Sequence, residues 1–406
     1  MRGPFTKGSE AATFRAGQPF ATHARQLGGD EKAVPDCAGT AAPRPDVGRP
    51  ARTPTFTVSI CTHDRPHYVR SCLESLRRQS VGLDAFDILV VDSCSPAEVG
   101  EQLREMVAAM PNARLVRTER LGASIARNLA IASTTADYLL FIDDDAIAAP
   151  DWVEQVRRVI MEHDPWPAVL GGRVLPIWEK PLPPWWPHSL RGVLSIIEWE
   201  GRGEFRTPQV PAKLEPYGVN MIVRRDAAQE VGGFNELLGR YGDFLLSDED
   251  VQLAWKIQDR GHSVRYDSRI TVHHQIQASR LVPSWLLARL YYQGASTVMT
   301  RRLLNQTGRI WREFFRRLAV EVICVPFSLV PSDSTWLMAP RWRLAYARGF
   351  TRMALGGVPR KRTALMRLLK GSASYRKGAS ADLKAQQPVD GIVPDLDSEF
   401  KPGASA

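Results

Sequence analysis

Tyr138-Leu-Leu-Phe-Ile-Asp-Asp-Asp145 decides the fold of this chain: five apolar residues, then three carboxylates, then helical spacing over 151–162. A short continuous apolar run next to a helix is the pattern of a strand covered on both faces. Three similar units precede it. Phe56-Thr-Val-Ser-Ile-Cys61 leads into helical spacing over 66–79 (Val69, Cys72, Leu73, Leu76). A run over 86–91 precedes a helix over 97–110, and one over 113–117 precedes a helix over 123–133. Strands alternating with amphipathic helices predict an α/β domain with a mostly parallel sheet and helices on both faces.

In such a sheet the carboxyl ends of the strands share one edge, where ligands bind. The polar residues gather there: Thr62-His63-Asp64-Arg65, Asp92-Ser93 and Asp143-Asp144-Asp145. Three adjacent carboxylates repel one another unless protons or a cation neutralise them. Oxygen ligands of this kind suit Mg²⁺ or Mn²⁺, which commonly bridge carboxylates and substrate phosphates. No Gly-x-x-x-x-Gly-Lys-Ser/Thr loop is present, so phosphate binding would rest on a metal and on basic groups such as Arg127. The bland alternative is a solvated acidic loop. Asp92 is open to two readings as well, a nucleobase acceptor or a strand-ending turn.

A less regular unit rich in Trp and Pro follows over 168–274, with one clear helix over 248–260 and a β-like run over 268–272. Ser247-Asp248-Glu249-Asp250 opens that helix. Ser247 as cap and acids in the first turn account for it structurally; a general base for an acceptor hydroxyl accounts for it chemically. His273-His274 offers an imidazole ligand or a structural histidine. Trp185 and Trp186, between prolines, would form a wall for a sugar acceptor or fill a core.

The charge of +9 is unevenly placed: residues 301–377 hold 17 Lys and Arg against 3 acids, a net +14, leaving −5 elsewhere. Amphipathic spacing there (Trp311, Phe314, Phe315, Leu318, Trp336, Trp342, Leu344) fits basic helices lying on an anionic membrane or packing on the catalytic unit. No nucleic-acid-binding motif accompanies the charge, and no nucleic-acid partner is expected. Five scattered cysteines without CxxC spacing, no apolar leader and no bilayer-length apolar run fit a cytoplasmic protein, at most peripheral on the inner membrane face.

The order of these pieces resembles the family-2 inverting glycosyltransferases. The matching segments run from Val58-Ser-Ile-Cys-Thr-His-Asp-Arg-Pro66, Ile88-Leu-Val-Val-Asp-Ser93 and Gly122-Ala-Ser-Ile-Ala-Arg-Asn-Leu-Ala130 to Asp137-Tyr-Leu-Leu-Phe-Ile-Asp-Asp-Asp145. Gly218-Val-Asn-Met221, Val231-Gly-Gly-Phe-Asn235 and Asp248-Glu-Asp-Val-Gln-Leu253 follow. The resemblance implies the A-type glycosyltransferase fold with its Rossmann-like sheet, here joined to a helical C-terminal region. It further implies a UDP-, GDP- or TDP-sugar donor and a hydroxyl acceptor, which could be lipid-linked. Thr62, Asp64, Asp92, Arg127, Asp143 and Asp144 make up the implied donor site. Asp143, Asp145 and His274 are the implied metal ligands and Asp250 the catalytic base. Asn220 and Glu249 join Trp185 and Trp186 on the acceptor side. Two departures stand out: Cys-Thr-His-Asp replaces the usual Pro-Thr-Tyr-Asn, and Asp248 adds a third acid.

The expected organisation is a disordered leader over 1–53 and a catalytic domain over 54–280, divided into nucleotide-binding (54–165) and acceptor (166–280) halves. A basic helical region over 281–377 and a disordered tail over 378–406 complete it. Competing readings are a nucleotidyltransferase, a haloacid-dehalogenase-like phosphohydrolase using Asp143-x-Asp145, and a non-catalytic sugar-binding protein.

Overall fold

The computed structural model describes residues 53–241, 244–329 and 335–356, excluding the side chains of 329 and 335–337. The expected leader, the tail and the basic stretch beyond 356 lie outside the described residues.

The apolar runs form strands where expected. β1 (Phe56–Thr62) is buried along almost its whole length and leads into α1 (Pro66–Arg77). Pro66 suits the first helical turn, where its missing N–H costs nothing, and Val69, Cys72, Leu73 and Leu76 bury one face. The next units are β2 (Asp87–Ser93) with α2 (Ala97–Ala108), and β3 (Ala113–Thr118) with α3 (Ala123–Ala132). β4 (Tyr138–Asp143) is followed by the short β5 (Ala146–Ala148) and by α4 (Trp152–Met161). The second half supplies β6 (Val169–Trp178), β7 (Arg202–Glu204), β8 (Asn220–Arg224), α5 (Arg225–Glu230), α6 (Glu249–Asp259) and β9 (Val264–Ile276). Three long helices close the described chain: α7 (Pro283–Leu303), α8 (Thr307–Leu329) and α9 (Thr335–Ala354).

All nine strands join one sheet in the order β3-β2-β1-β4-β8-β6-β9-β5, with β7 on β9. The first four pair in parallel, as expected. The second half is mixed: β8 runs antiparallel to β4 and β6, while β6 and β9 are parallel. β9 is much longer than the run over 268–272 because it pairs with β5, β6 and β7. Its alternating polar positions hid that length from a reading based on apolar runs.

Register positions the site. Thr62 lies opposite Asp92, and Cys61 opposite Asp143, so three strand ends share one edge. Ala146 pairs with His274, which carries a histidine from late in the chain to the residue after Asp145.

The main core packs the sheet against its flanking helices around Trp152, Tyr138, Phe141, Tyr266 and Phe234. Each fully buried side chain of this kind contributes about 1.5–3 kcal/mol. The C-terminal helices share smaller cores with the preceding unit: Leu238 with Val298 and Phe350, and Trp186 with Leu286 and Leu290. α7 and α9 approach so closely that a Cβ on Gly294 or Gly349 would collide with the other helix's backbone.

Candidate active site

One cavity of about 410 Å³ opens along the carboxyl edge of the sheet, lined by the ends of β1 and β4, α3, the segment before α6, and α7. That volume lies within the range of small-molecule sites. Thr62, Arg127, Asp143, Asp144, Asp145, Glu249 and Asp250 all line it. Carboxylates far apart in sequence therefore meet in one cleft.

Arg127 ties the two acidic groups together. It is buried, with one guanidinium nitrogen 2.7 Å from Glu249 Oε1 and the other 3.2 Å from Asp143 Oδ1. Gly218 makes room for it, since a Cβ there would collide with the guanidinium. Removing an arginine of this kind would leave two acids uncompensated.

The strand-end acids are held differently from one another. Asp144 Oδ2 accepts the Thr62 hydroxyl at 2.7 Å, and Oδ1 accepts Arg65 at 2.7 Å. Burial raises its carboxyl to about 6, against the pull of Arg65. Asp145 Oδ2 accepts Arg65 at 2.7 Å, Arg280 at 2.8 Å and Gln277 at 2.9 Å. Burial would raise Asp145, but the charges of His274 (when protonated), Arg280 and Arg65 hold it well below the carboxylate range.

His274 donates Nδ1–H to the Leu194 carbonyl at 3.0 Å and sets Nε2 3.2 Å from Asp145 Oδ1 and 3.3 Å from Arg280. Protonated, Nε2 pairs with Asp145; unprotonated, it offers a lone pair beside a carboxylate. An Nδ1–H anchored on a carbonyl is the outer contact that metal-bound histidines usually show. The donor chemistry of Asp145 and His274 thus fits a divalent ion, though Arg65 and Arg280 compete for the same carboxylate. Asp143 corrects the expected ligand set: it turns to Arg127. Among the described residues, no three His, Cys, Asp or Glu side chains are gathered about one ion position.

The acids before and within α6 form the opposite wall. Ser247 is not the cap. Asp248 occupies that position in the left-handed region (φ 74°), and Ser247 Oγ bonds Asp248 and Gln293 instead. Left-handed backbone at a non-glycine residue is strained and recurs at functional sites. Asp250 accepts the backbone N–H groups of Gly218 at 2.6 Å and Val251 at 2.8 Å. Burial and then the Glu249 charge raise its carboxyl to about 7, with Arg127 and the two N–H groups pulling the other way.

Other expected residues sit elsewhere. Asp92 is 1% exposed; it accepts Ser95 N–H at 3.0 Å and Arg117 at 2.5 Å, which matches the strand-ending reading. Its neighbour Ser93 lines the cavity. Asp64 is exposed, with positive φ and its N–H on Ser95 Oγ. Asn220 and Trp186 correct the acceptor assignment. Asn220 is buried and braces Trp152, Arg173 and Ile270. Trp186 fills a core stacked on Trp285, with Trp185 leaning against it.

Reading the sequence for acids missed the cations. Arg65, Arg240, Arg280 and Arg289 line the cavity, as does Glu215, raised by burial to about 8. Arg65 was in plain view at the end of the first motif. Arg280 and Arg289 sit at and beyond the expected end of the catalytic domain, and only the fold returns them to the cleft.

Residues 57–232 match the family described as Glycosyl transferase family 2. The chain is 31% identical over 179 residues to a glucosyl-dolichyl phosphate glucuronosyltransferase of Haloferax volcanii, covering 44% of this chain and 55% of that protein. It is 26% identical over 281 residues to a pre-mycofactocin glycosyltransferase of Mycobacterium tuberculosis, covering 67% of this chain and 52% of that one. It thus spans about half the length of these curated relatives. Among solved structures, a mannosyltransferase from Pyrobaculum calidifontis in complex with GDP-Man and Mn²⁺ is 18% identical, with a TM-score of 0.46 over 83% of this chain and 85% of that chain. Residues 57–232, which run from β1 to just past α5 and include the parallel strands β1 to β4, are thus the part of the chain that matches glycosyl transferase family 2.

Proposed function

We propose that this chain transfers a sugar from a nucleoside-diphosphate donor to an acceptor hydroxyl in one inverting displacement, with Asp250 as the base. One observation carries the reading: Asp250, raised to about 7, lines the same cleft as the strand-end acids, and Arg127 joins the two walls. A base is most effective when its pKa lies near the working pH.

The acceptor oxygen attacks the anomeric carbon from the face opposite the donor phosphate and yields its proton to Asp250. The bond from the anomeric carbon to the diphosphate oxygen breaks, and its electron pair leaves with the nucleoside diphosphate. Arg65, Arg280 and Arg289 line the cleft where that charge would develop, and fixed cations there stabilise the leaving group. A divalent ion, when bound, would offset the same charge; Asp145 and His274 are the side chains that would hold it. The Haloferax relative is named for a lipid-linked sugar, which supports a lipid-linked acceptor in glycoconjugate synthesis for this chain too.

The test pairs UDP-, GDP- and TDP-sugars, with and without Mn²⁺, against thermal stabilisation and nucleoside-diphosphate release. A donor that stabilises the protein and yields an inverted product supports the reading. Retention of configuration, or pyrophosphate as product, refutes it.

A further inference from the structure

Nine large apolar side chains are strongly exposed among the described residues, and six of them lie on α8: Trp311, Phe315, Leu318, Val322, Ile323 and Phe327. Elsewhere exposed apolar groups are scattered, which is ordinary; a concentration on one helix marks an interaction surface. At about 100° per residue, Trp311, Phe315, Leu318 and Val322 fall within a sector of roughly 60°. Phe315 is 68% and Val322 69% exposed. The inward side of the same helix, with Ile310, Phe314 and Cys324, is buried against its neighbours.

Charge identifies the occupant. Arg309, Arg312 and Arg316 are exposed on the adjoining flank of the helix, the sector that also carries Ile323 and Phe327. Both acids of α8 are turned away from it: Glu313 is held by Arg301, Arg316 and Arg317, and Glu321 accepts the Thr351 hydroxyl. The outer surface is apolar and cationic, the combination that seats a helix in an anionic lipid interface. No helix among the described residues is long and apolar enough to cross a membrane, so the helix would lie along the surface.

We infer that α8 docks this protein on anionic bilayers, its apolar stripe entering the acyl boundary while the arginines meet lipid phosphates. The inference stands apart from the donor and base assignments, because none of these residues lines the cleft.

The full chain is to be sedimented with phosphatidylcholine vesicles and with vesicles containing one quarter phosphatidylglycerol. The parent protein should pellet with the anionic vesicles and be released by about 0.5 M salt, where the Debye length falls to a few ångströms. Phe315→Gln with Val322→Gln should weaken partitioning at least tenfold at an unchanged melting temperature, both side chains being solvent-facing. Arg309→Gln with Arg312→Gln should remove the preference for anionic over neutral vesicles. Absence of pelleting by the parent, or equal pelleting by the apolar double variant, overturns the inference. So does a parent dimer that the apolar substitutions dissociate while vesicle binding persists, which would make a second copy the occupant.

Discussion

Asp145 and Asp250 face one cleft from its two acidic walls, in opposite electrostatic states. At the end of β4, Asp145 is surrounded by Arg65, Arg280, Gln277 and His274 and held well below the carboxylate range. Before and within α6, Asp250 has only backbone N–H groups in contact, with Glu249 beside it, and rises to about 7. Several cationic partners around one buried carboxylate hold it charged, whereas burial and a like charge leave a carboxylate able to take a proton.

Replacing Asp250 by Asn should break the comparison most severely, lowering kcat about 10²–10⁴-fold, the usual contribution of a general base. Donor binding, followed by thermal shift, should change little. Glu215→Gln, tested alongside, separates two of the raised carboxyls of the cleft: a greater loss there than in the Asp250 variant would move the base to Glu215. Next in size is Arg127→Met, which leaves Glu249 and Asp143 without their shared cation. Unfolding in urea should show a loss of about 3–5 kcal/mol, and an unaltered midpoint would mean the two walls are not coupled through this residue.

Trp186 and Trp185 sharpen the same distinction at the periphery. Trp186→Ala should cost about 3–5 kcal/mol as a core truncation, and Trp185→Ala distinctly less, since it is only half-buried. A normal melting temperature with a raised acceptor KM in the Trp186 variant would restore it to the acceptor wall.

The smallest effect is also the most specific. Because Asp250 must be ionised to accept a proton, the rate should rise about tenfold per unit as pH approaches 7 and then level. Its folded-state pKa lies above the ordinary value of 3.8. The stability it contributes is therefore complete below about 3.8 and lost as pH rises through about 7. Activity and stability should change in opposite directions across that window, and Asp250→Asn should remove this part of the stability change. Parallel changes would place the titrating group elsewhere.

Much of this was legible in the sequence because it depends on local periodicity. Apolar runs of five or six residues specify buried strands, and parallel pairing brings their polar ends to one edge; that alone set Thr62 beside Asp92 and Asp143 near them. The grouping of Asp145 with Asp250 in one cleft followed the family order of segments. Tertiary structure decided the rest. Whether an acid is free or compensated depends on arginines from β1's far end, α3 and the segment before α7, whose approach no short window encodes. Asn220 and Trp186 carry the same residue types as binding groups, yet packing turned them into the interior, because burial is a property of the assembled layers and composition cannot express it.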